Sequence, residues 1–126
     1  MESAKIQKVF DRHRPQKSWG WEEWIVNNDL YCGKRLHFTE LGGKTSLHFH
    51  MKKHETMYVE SGLFMITIID PVTAEQTKYH LEKGSSIVIE PGMVHRIEAV
   101  MLNRGEAVLV EFSTHHEDTD SYRVER

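Results

Sequence analysis

Short stretches rich in β-branched, aromatic and other apolar residues recur along most of this chain, and residues that favour turns follow each of them. In several stretches, such as Leu63–Asp70 and Ser86–Glu90, apolar and polar residues alternate. Alternation places every second side chain on the same face of a strand, so one face can enter a core. The predicted strands are Trp21–Val26, Tyr31–Glu40, Thr45–His50, Thr56–Glu60, Leu63–Asp70, Thr77–Leu81, Ser86–Glu90, His95–Val100 and Ala107–Ser113.

The segments between these strands contain residues that tolerate a positive φ or fix a turn, among them Gly42-Gly43, Asp70-Pro71 and Pro91-Gly92. So many short strands with almost no helix would leave long unpaired edges in an open sheet. The sequence therefore predicts an all-β fold, either a closed barrel or a two-sheet jelly roll. A chain of 126 residues forms one domain, which we divide into an N-terminal arm over residues 1–16 and a barrel over 17–126. The charged tail from His115 onward is interpreted as a terminal strand or an ordered arm.

Charge and hydropathy exclude several classes of protein. The formal net charge is −3 and the pI is about 6.3, so no positive excess is available for a nucleic-acid backbone. No apolar run reaches the roughly 18–20 residues of a membrane-spanning helix, and residues 1–11 lack a signal-peptide core. We therefore expect a cytoplasmic protein that binds neither nucleic acid nor membrane. Cys32 is the single cysteine, which excludes an intrachain disulfide and a multi-cysteine zinc site.

Histidine is unusually frequent, with nine residues in the chain, and its spacing is typical of a metal site. His48 and His50 are two residues apart, so a strand places both rings on one face with Cα atoms about 7 Å apart. A turn would bring Glu55 back on the next strand, and a second turn leads into His95. Three imidazoles and one carboxylate leave about two positions of an octahedron open. This set suits Fe(II), Mn(II), Ni(II) or Co(II), and zinc also fits.

The same residues fall into two spaced motifs that resemble those of the cupin superfamily. Gly42, His48, His50, Glu55 and Gly62 fit the first cupin motif without a gap. Gly84, Gly92 and His95 fit the second, although Glu90 stands where proline is usual and Ala99 where asparagine often follows. The resemblance implies a double-stranded β-helix, or jelly-roll, barrel that holds one divalent metal ion, and pairing of barrels into a homodimer.

Further residues are similar to the type II phosphomannose isomerase domain, which also forms the C-terminal part of bifunctional mannose-1-phosphate guanylyltransferases. The sequence Lys17-Ser18-Trp19-Gly20-Trp21-Glu22 resembles its Lys/Arg-Pro-Trp-Gly-X-Glu opening. Ser46-Leu47, Ser61-Gly62, Pro91-Gly92, His95–Glu98 and the segment from Glu117 to Arg123 follow in the same order. The chain departs at His48, where that family commonly carries glutamine, and after His50, where it commonly carries further histidines.

This resemblance implies a metal-dependent sugar or sugar-phosphate isomerase. Glu55 and Glu90 are the two candidates for the base that moves a proton between neighbouring carbons. Lys44, Arg96 and Tyr58 are the candidate substrate contacts, the two basic residues through charge-assisted hydrogen bonds to a phosphate or carboxylate. Two alternatives stay open: a non-haem iron or manganese oxygenase on the same ligands, and a non-catalytic sugar-binding or regulatory protein.

The remaining histidines and the tryptophans have simpler expected roles. His54 is expected to be exposed, His37 to be a satisfied structural residue, and His115 and His116 to be solvated. Trp19, Trp21 and Trp24 are interpreted as covering the end of the barrel or packing a dimer interface, with a binding platform as the alternative.

Overall fold

The computed structural model describes residues 4–6, 8 and 13–125. All nine predicted strands are present, each with ends within two residues of those predicted, and the structure adds a short first strand and a terminal one. The strands are β1 (Gln16–Lys17), β2 (Gly20–Asn27), β3 (Cys32–Phe38), β4 (Leu47–Phe49), β5 (Glu55–Ser61), β6 (Leu63–Ile69), β7 (Gln76–Leu81), β8 (Ser86–Ile89), β9 (Val94–Met101), β10 (Ala107–Ser113) and β11 (Tyr122–Glu125). A 3-10 helix, Asp118–Asp120, precedes β11.

These strands form two antiparallel sheets that face each other as a jelly-roll barrel, which confirms the predicted fold class. One sheet has six strands in the order β1-β2-β3-β10-β5-β8, and the other has five in the order β11-β4-β9-β6-β7. In the described part of the chain, six of the nine neighbouring strand pairs are not consecutive in sequence, so distant segments of the chain meet inside the barrel. Among the described residues, no helix has the length and apolar composition needed to span a membrane.

Large apolar side chains from both sheets fill one half of the barrel interior. Phe38 stacks on Trp19 with ring centroids 4.1 Å apart and meets Phe64 edge-on at 5.1 Å. The other members of this buried cluster are Leu36, Met57, Val59, Ile66, Ile89, Ile97, Ala99, Ala107 and Leu109. Truncation of a buried phenylalanine costs about 3–5 kcal/mol in comparable cores. Trp19 is thus a core residue of the barrel.

Charged side chains occupy the other half of the interior. On three neighbouring strands of the six-stranded sheet, the inward residues change from charged at one end to apolar at the other. These series are Lys34, Leu36 and Phe38 on β3, Glu55, Met57 and Val59 on β5, and Glu111, Leu109 and Ala107 on β10. Because buried charges are stable only when they are paired or bind an ion, this half is where function is expected.

Gly62, the last glycine of the first cupin-like motif, connects β5 to β6. Its φ is +81°, and a Cβ there would lie 2.5 Å from Ala107 Cβ and 2.7 Å from the Met101 carbonyl oxygen. A side chain therefore meets both an unfavourable backbone conformation and a steric overlap. This glycine lets β6 leave the first sheet and enter the second.

The N-terminal and C-terminal segments of the described chain both lie against the polar half of the barrel. Backbone N–H groups of Glu22 and Trp24 donate hydrogen bonds to the carbonyls of Pro15 and His13, so residues 13–17 run along β2. At the other end, β11 pairs with β4, which confirms that the tail contains a terminal strand. The Asp120 carboxylate accepts hydrogen bonds from the backbone N–H groups of Met51, Lys52 and Lys53 and so fastens the tail to the β4–β5 turn.

Candidate metal centre

Three histidines from neighbouring strands meet in the polar half of the barrel. His48 lies on β4 directly opposite His95 on β9, and His50 follows β4 by one residue. One ring nitrogen from each of the three lies within 4.8 Å of the others. His50 and His95 are buried, and His48 is partly buried. The cross-strand register thus brings together residues that are up to 47 positions apart.

The backbone fixes the orientation of each ring. The Nδ1 atoms of His48, His50 and His95 lie 2.8, 3.0 and 3.0 Å from the carbonyl oxygens of Ser46, Asp120 and Met93. A carbonyl only accepts hydrogen bonds, so each Nδ1 carries the hydrogen, and the lone pair of a neutral ring is on Nε2. This is the arrangement in which metal-binding histidines are commonly held.

The Glu55 carboxylate lies beside these rings. Its Oε1 atom is 3.2 Å from His95 Nε2 and 3.9 Å from His50 Nε2, and the side chain is 1% exposed. Neither carboxylate oxygen has a hydrogen-bond partner among the described residues. Two Nε2 atoms and a carboxylate oxygen face one another at these distances, and this contact is favourable when a proton or a metal ion lies between them. The residues present therefore fit a metal ion.

Burial and neighbouring charges keep these groups in the protonation states that bind metals. Burial, reinforced by the nearby His95, lowers the pKa of His48 to about 3, and burial also lowers the pKa of His50. Burial raises the pKa of the Glu55 carboxyl, but His95, Lys53 and His50 outweigh this effect and lower it to about 2. At neutral pH His48 and His50 are thus uncharged and Glu55 is ionised.

A buried network of charges supports Glu55 from behind. Lys53 Nζ lies 3.5 Å from Glu55 Oε2, donates a hydrogen bond of 3.0 Å to Glu111 Oε2, and lies 2.9 Å from His116 Nδ1. His116 Nε2 is in turn 2.8 Å from Asp118 Oδ1. Burial alone lowers the pKa of Lys53, but Glu111 and Glu55 together raise it, so the amine is charged.

These groups line one large cavity of about 670 Å³. The three histidines, Glu55 and Lys53 form its floor, with Leu36, Met57 and Ile97 at the apolar side. Trp24 forms part of the wall, where Lys34 Nζ lies 4.1 Å from the centre of its ring. A cavity of this size and polarity accommodates a small polar molecule.

The structure brings some of the candidate catalytic and substrate-binding residues to this cavity and leaves others outside it. Lys44 lines the cavity and is exposed at its mouth. Arg96 and Tyr58 alternate with buried neighbours on β9 and β5, so their side chains lie on the outer faces of the sheets. Arg96 Nε donates a hydrogen bond to the Thr45 carbonyl there. Glu90 is exposed in the turn after β8. None of these last three is among the described residues that line the cavity.

Of the other histidines, His54 and His37 lie as expected and His116 does not. His54 is exposed, and Cys32 is buried. His37 is a satisfied structural residue, since its two ring nitrogens lie 3.1 Å from Glu106 and 3.2 Å from Glu23. The expectation that His116 is solvated is wrong, because Lys53 and an edge-on contact with Trp24 hold it in the cavity wall.

Comparisons with known proteins agree with this fold. The chain is 26% identical over 101 residues to an uncharacterized protein of Methanocaldococcus jannaschii, MJ1618, with 75% of this chain and 76% of that protein covered. CapF, a capsular polysaccharide assembling protein from Staphylococcus aureus, superposes with a TM-score of 0.79 at 20% identity, over 91% of this chain and 33% of CapF. Oxalate decarboxylase from Bacillus subtilis superposes with a TM-score of 0.76 at 17% identity, over 98% of this chain and 34% of the enzyme. The chain thus spans about a third of the length of these two solved proteins, and the likeness to them is one of fold.

The sequence of the barrel also matches a family model. The model of the cupin domain matches residues 37–110, more than half of the chain. The matched interval contains the three histidines and Glu55. This protein is therefore a member of the cupin domain family.

Proposed function

We propose that this protein is a metal-dependent isomerase of a small sugar or sugar phosphate, with His48, His50, His95 and Glu55 as the ligands of one divalent transition metal ion. The observation that supports this most is the buried Glu55 carboxylate, which faces the histidine nitrogens without a hydrogen bond. Imidazole nitrogens and a carboxylate that converge in this way are a ligand set that divalent transition metals prefer. Mn(II), Fe(II), Ni(II), Co(II) and Zn(II) are all compatible with this set of ligands.

When bound, such an ion acts as a Lewis acid toward the carbonyl and adjacent hydroxyl oxygens of an open-chain sugar. Isomerisation also needs a base that takes a proton from one carbon and returns it to its neighbour. Glu55 is the carboxylate of the cavity that lies beside the histidines, and we assign this role to it at the stage when it is not coordinated. Lys44 at the mouth is available for charge-assisted hydrogen bonds to a phosphate group.

A second candidate function is the binding of a sugar without turnover. It is favoured by the strong acidity of Glu55, since burial raises its pKa but His95 and Lys53 outweigh this and hold it near 2. A carboxylate of that acidity is a weak base at neutral pH. In this alternative the three histidines and Glu55 would hold an ion that orients a ligand, and Lys53, 3.5 Å from Glu55, would keep that carboxylate ionised and in place.

Metal analysis followed by isotope exchange tests these proposals. Protein purified without an affinity tag is analysed for metal by mass spectrometry, and then incubated in D₂O with a panel of sugars and sugar phosphates. Metal-dependent incorporation of deuterium next to the carbonyl, lost in Glu55→Gln, supports the isomerase. Ligand binding without exchange supports the binding protein, and oxygen uptake in place of exchange identifies an oxygenase. A protein that contains no metal and takes up none overturns the proposed centre.

We also propose that two copies pair through the outer face of the six-stranded sheet. Trp21 lies on that face, stacked on His37 with ring centroids 4.0 Å apart. Exposed aromatic side chains Tyr58 and Phe112 lie on strands of the same sheet. Exposed aromatic residues of this kind are enriched at protein interfaces.

A further inference from the structure

The cavity holds more positive than negative side chains. Its charged lining residues are Lys17, Lys34, Lys44, Lys53, Arg123, Glu22, Glu55, Glu111 and Asp118. The five cationic groups exceed the four carboxylates by one charge even before a metal ion is counted. The excess positive charge is not spread evenly, because some of these cations pair with carboxylates of the cavity wall and others do not.

The carboxylates are all engaged within the wall. Glu22 lies 3.4 Å from Lys34 and 3.9 Å from Lys17. Glu111 and Glu55 lie 3.0 and 3.5 Å from Lys53. Asp118 lies 2.8 Å from His116. Lys17, Lys34 and Lys53 are therefore largely neutralised, and the positive excess is carried by the two remaining cations.

Those two cations are Lys44 and Arg123. Neither side chain forms an ion pair or a hydrogen bond within the described residues 4–6, 8 and 13–125. Arg123 is the better placed of the two, because β11 pairs with β4 so that Arg123 lies directly opposite His48. His48 in turn lies opposite His95 on β9. Arg123 thus continues the cross-strand row that contains two of the three clustered histidines.

Residues in such a row project from the same face of a sheet, with neighbouring Cβ atoms about 4.5–5.5 Å apart. The stacked rings of Tyr122 and Phe49, one position away in each strand, form the adjacent row. Because successive residues point to opposite faces, Arg123 and His48 share the face that lines the cavity. Arg123 therefore lines the cavity in the same row as His48, and no carboxylate of residues 4–6, 8 and 13–125 pairs with it.

We propose that Arg123 binds the phosphate or carboxylate group of a ligand whose other oxygens reach the three-histidine cluster. A guanidinium offers paired N–H donors that match the oxygens of either group, so it orients the ligand as well as attracting it. Lys44 adds positive charge to the same cavity. The inference rests on the proposed function in one respect, namely that the cavity receives a small molecule at its metal centre.

Calorimetric titration with three matched probes tests this subsite. Protein loaded with Mn(II) is titrated at low ionic strength, in a buffer without phosphate, with mannose, mannose 6-phosphate and mannonate. The variants are Arg123→Gln, Arg123→Lys and the control Arg35→Gln. Arg35 pairs with Glu60 at 3.2 Å on the outer face of the other sheet, so the control removes the same charge away from the cavity. Metal content and thermal midpoint are measured for each protein.

At least one charged probe is expected to bind the unmodified protein about tenfold or more tightly than mannose, a difference of about 1.4 kcal/mol. Arg123→Gln removes most of that preference, Arg123→Lys retains part of it, and Arg35→Gln leaves it unchanged. The charged probe that loses affinity identifies the group as phosphate or carboxylate.

The subsite is overturned if mannose binds as tightly as both charged probes, if no probe binds, or if the two Arg123 variants behave like Arg35→Gln. These outcomes are separate from the fate of the isomerase. Binding that depends on Arg123 without deuterium exchange supports the subsite and contradicts the isomerase. Deuterium exchange that is unchanged in the Arg123 variants supports the isomerase and contradicts the subsite.

Discussion

The Lys53 ammonium donates a 3.0 Å hydrogen bond to Glu111 in the floor of the barrel, and both side chains are about 4% exposed. Lys53 also faces Glu55, so a single buried cation compensates two buried carboxylates. Removing one partner of a buried ion pair leaves an uncompensated charge, which is more costly than never having had the pair.

Lys53→Met is therefore expected to lower the free energy of unfolding by about 3–5 kcal/mol. Urea denaturation at pH 7 in the presence of EDTA measures this without a contribution from bound metal. The double variant Lys53→Met with Glu111→Leu restores part of the loss, since it removes one of the stranded carboxylates. A Lys53→Met protein as stable as the unmodified chain would contradict the compensating role of Lys53.

Replacement of the clustered histidines is expected to remove the metal. Metal content, measured by mass spectrometry, falls strongly in His50→Ala and in His95→Ala because each variant loses an oriented Nε2 ligand. His54→Ala is the matched control, because this histidine is exposed in the neighbouring turn. Equal losses in all three variants would refute the assignment of the ligands.

Asp120→Asn is expected to weaken the attachment of the tail and to change the response to acid. Burial raises the pKa of the Asp120 carboxyl, but the N–H groups of Met51, Lys52 and Lys53 outweigh this and lower it. A carboxyl with a lowered pKa stabilises the fold above its unfolded pKa of about 3.9, and that stabilisation is lost as the pH falls through the folded value.

The asparagine variant therefore loses about 1–3 kcal/mol of stability at pH 6, because an amide cannot replace both carboxylate oxygens as acceptors. Between pH 6 and pH 3 it loses less additional stability than the unmodified protein. Denaturant titrations at the two pH values give both differences. Parallel pH profiles for the two proteins would show that Asp120 does not contribute to acid sensitivity.

Trp21→Ser is expected to weaken dimerisation, because the substitution removes a large aromatic surface from the outer face of the six-stranded sheet. Sedimentation equilibrium over a range of concentrations measures the dissociation constant. Trp24→Phe serves as the control, since Trp24 lines the cavity on the inner face. If Trp21→Ser leaves the average mass of a dimeric protein unchanged, Trp21 is not at the interface.

Local patterns were sufficient to predict the strands and the histidine cluster. Alternation of apolar and polar residues is a property of each strand alone, so β6 and β10 could be located within one residue. The grouping of His48 with His95 was predicted from two spaced motifs that resemble those of cupins, and the two residues lie opposite each other on β4 and β9. The same alternation places Tyr58 and Arg96 on the outer faces of the sheets. Their predicted role as substrate contacts did not take this into account.

The buried charges could not be predicted in the same way. Lys53 meets Glu111 and His116 across 58 and 63 residues of sequence. Charged residues that flank a turn or follow a strand are usually solvated. No local pattern shows that the turn with Lys53 packs against the segment from Glu111 to His116 and buries these charges. His116 was missed for this reason, as was Arg123, whose position depends on the register between β11 and β4.

The bond from His50 Nδ1 to the Asp120 carbonyl also has a consequence for the order in which the protein is made. During synthesis, His48, His50, Glu55 and His95 all leave the ribosome before Asp120, the residue that orients His50. A nascent chain can thus expose the candidate ligands to any available cation before the Asp120 carbonyl, which orients His50, has been synthesised. In the proposed metal centre, the ligand set is complete and oriented only after β11 has docked, so tight loading is expected to follow the synthesis of the whole domain.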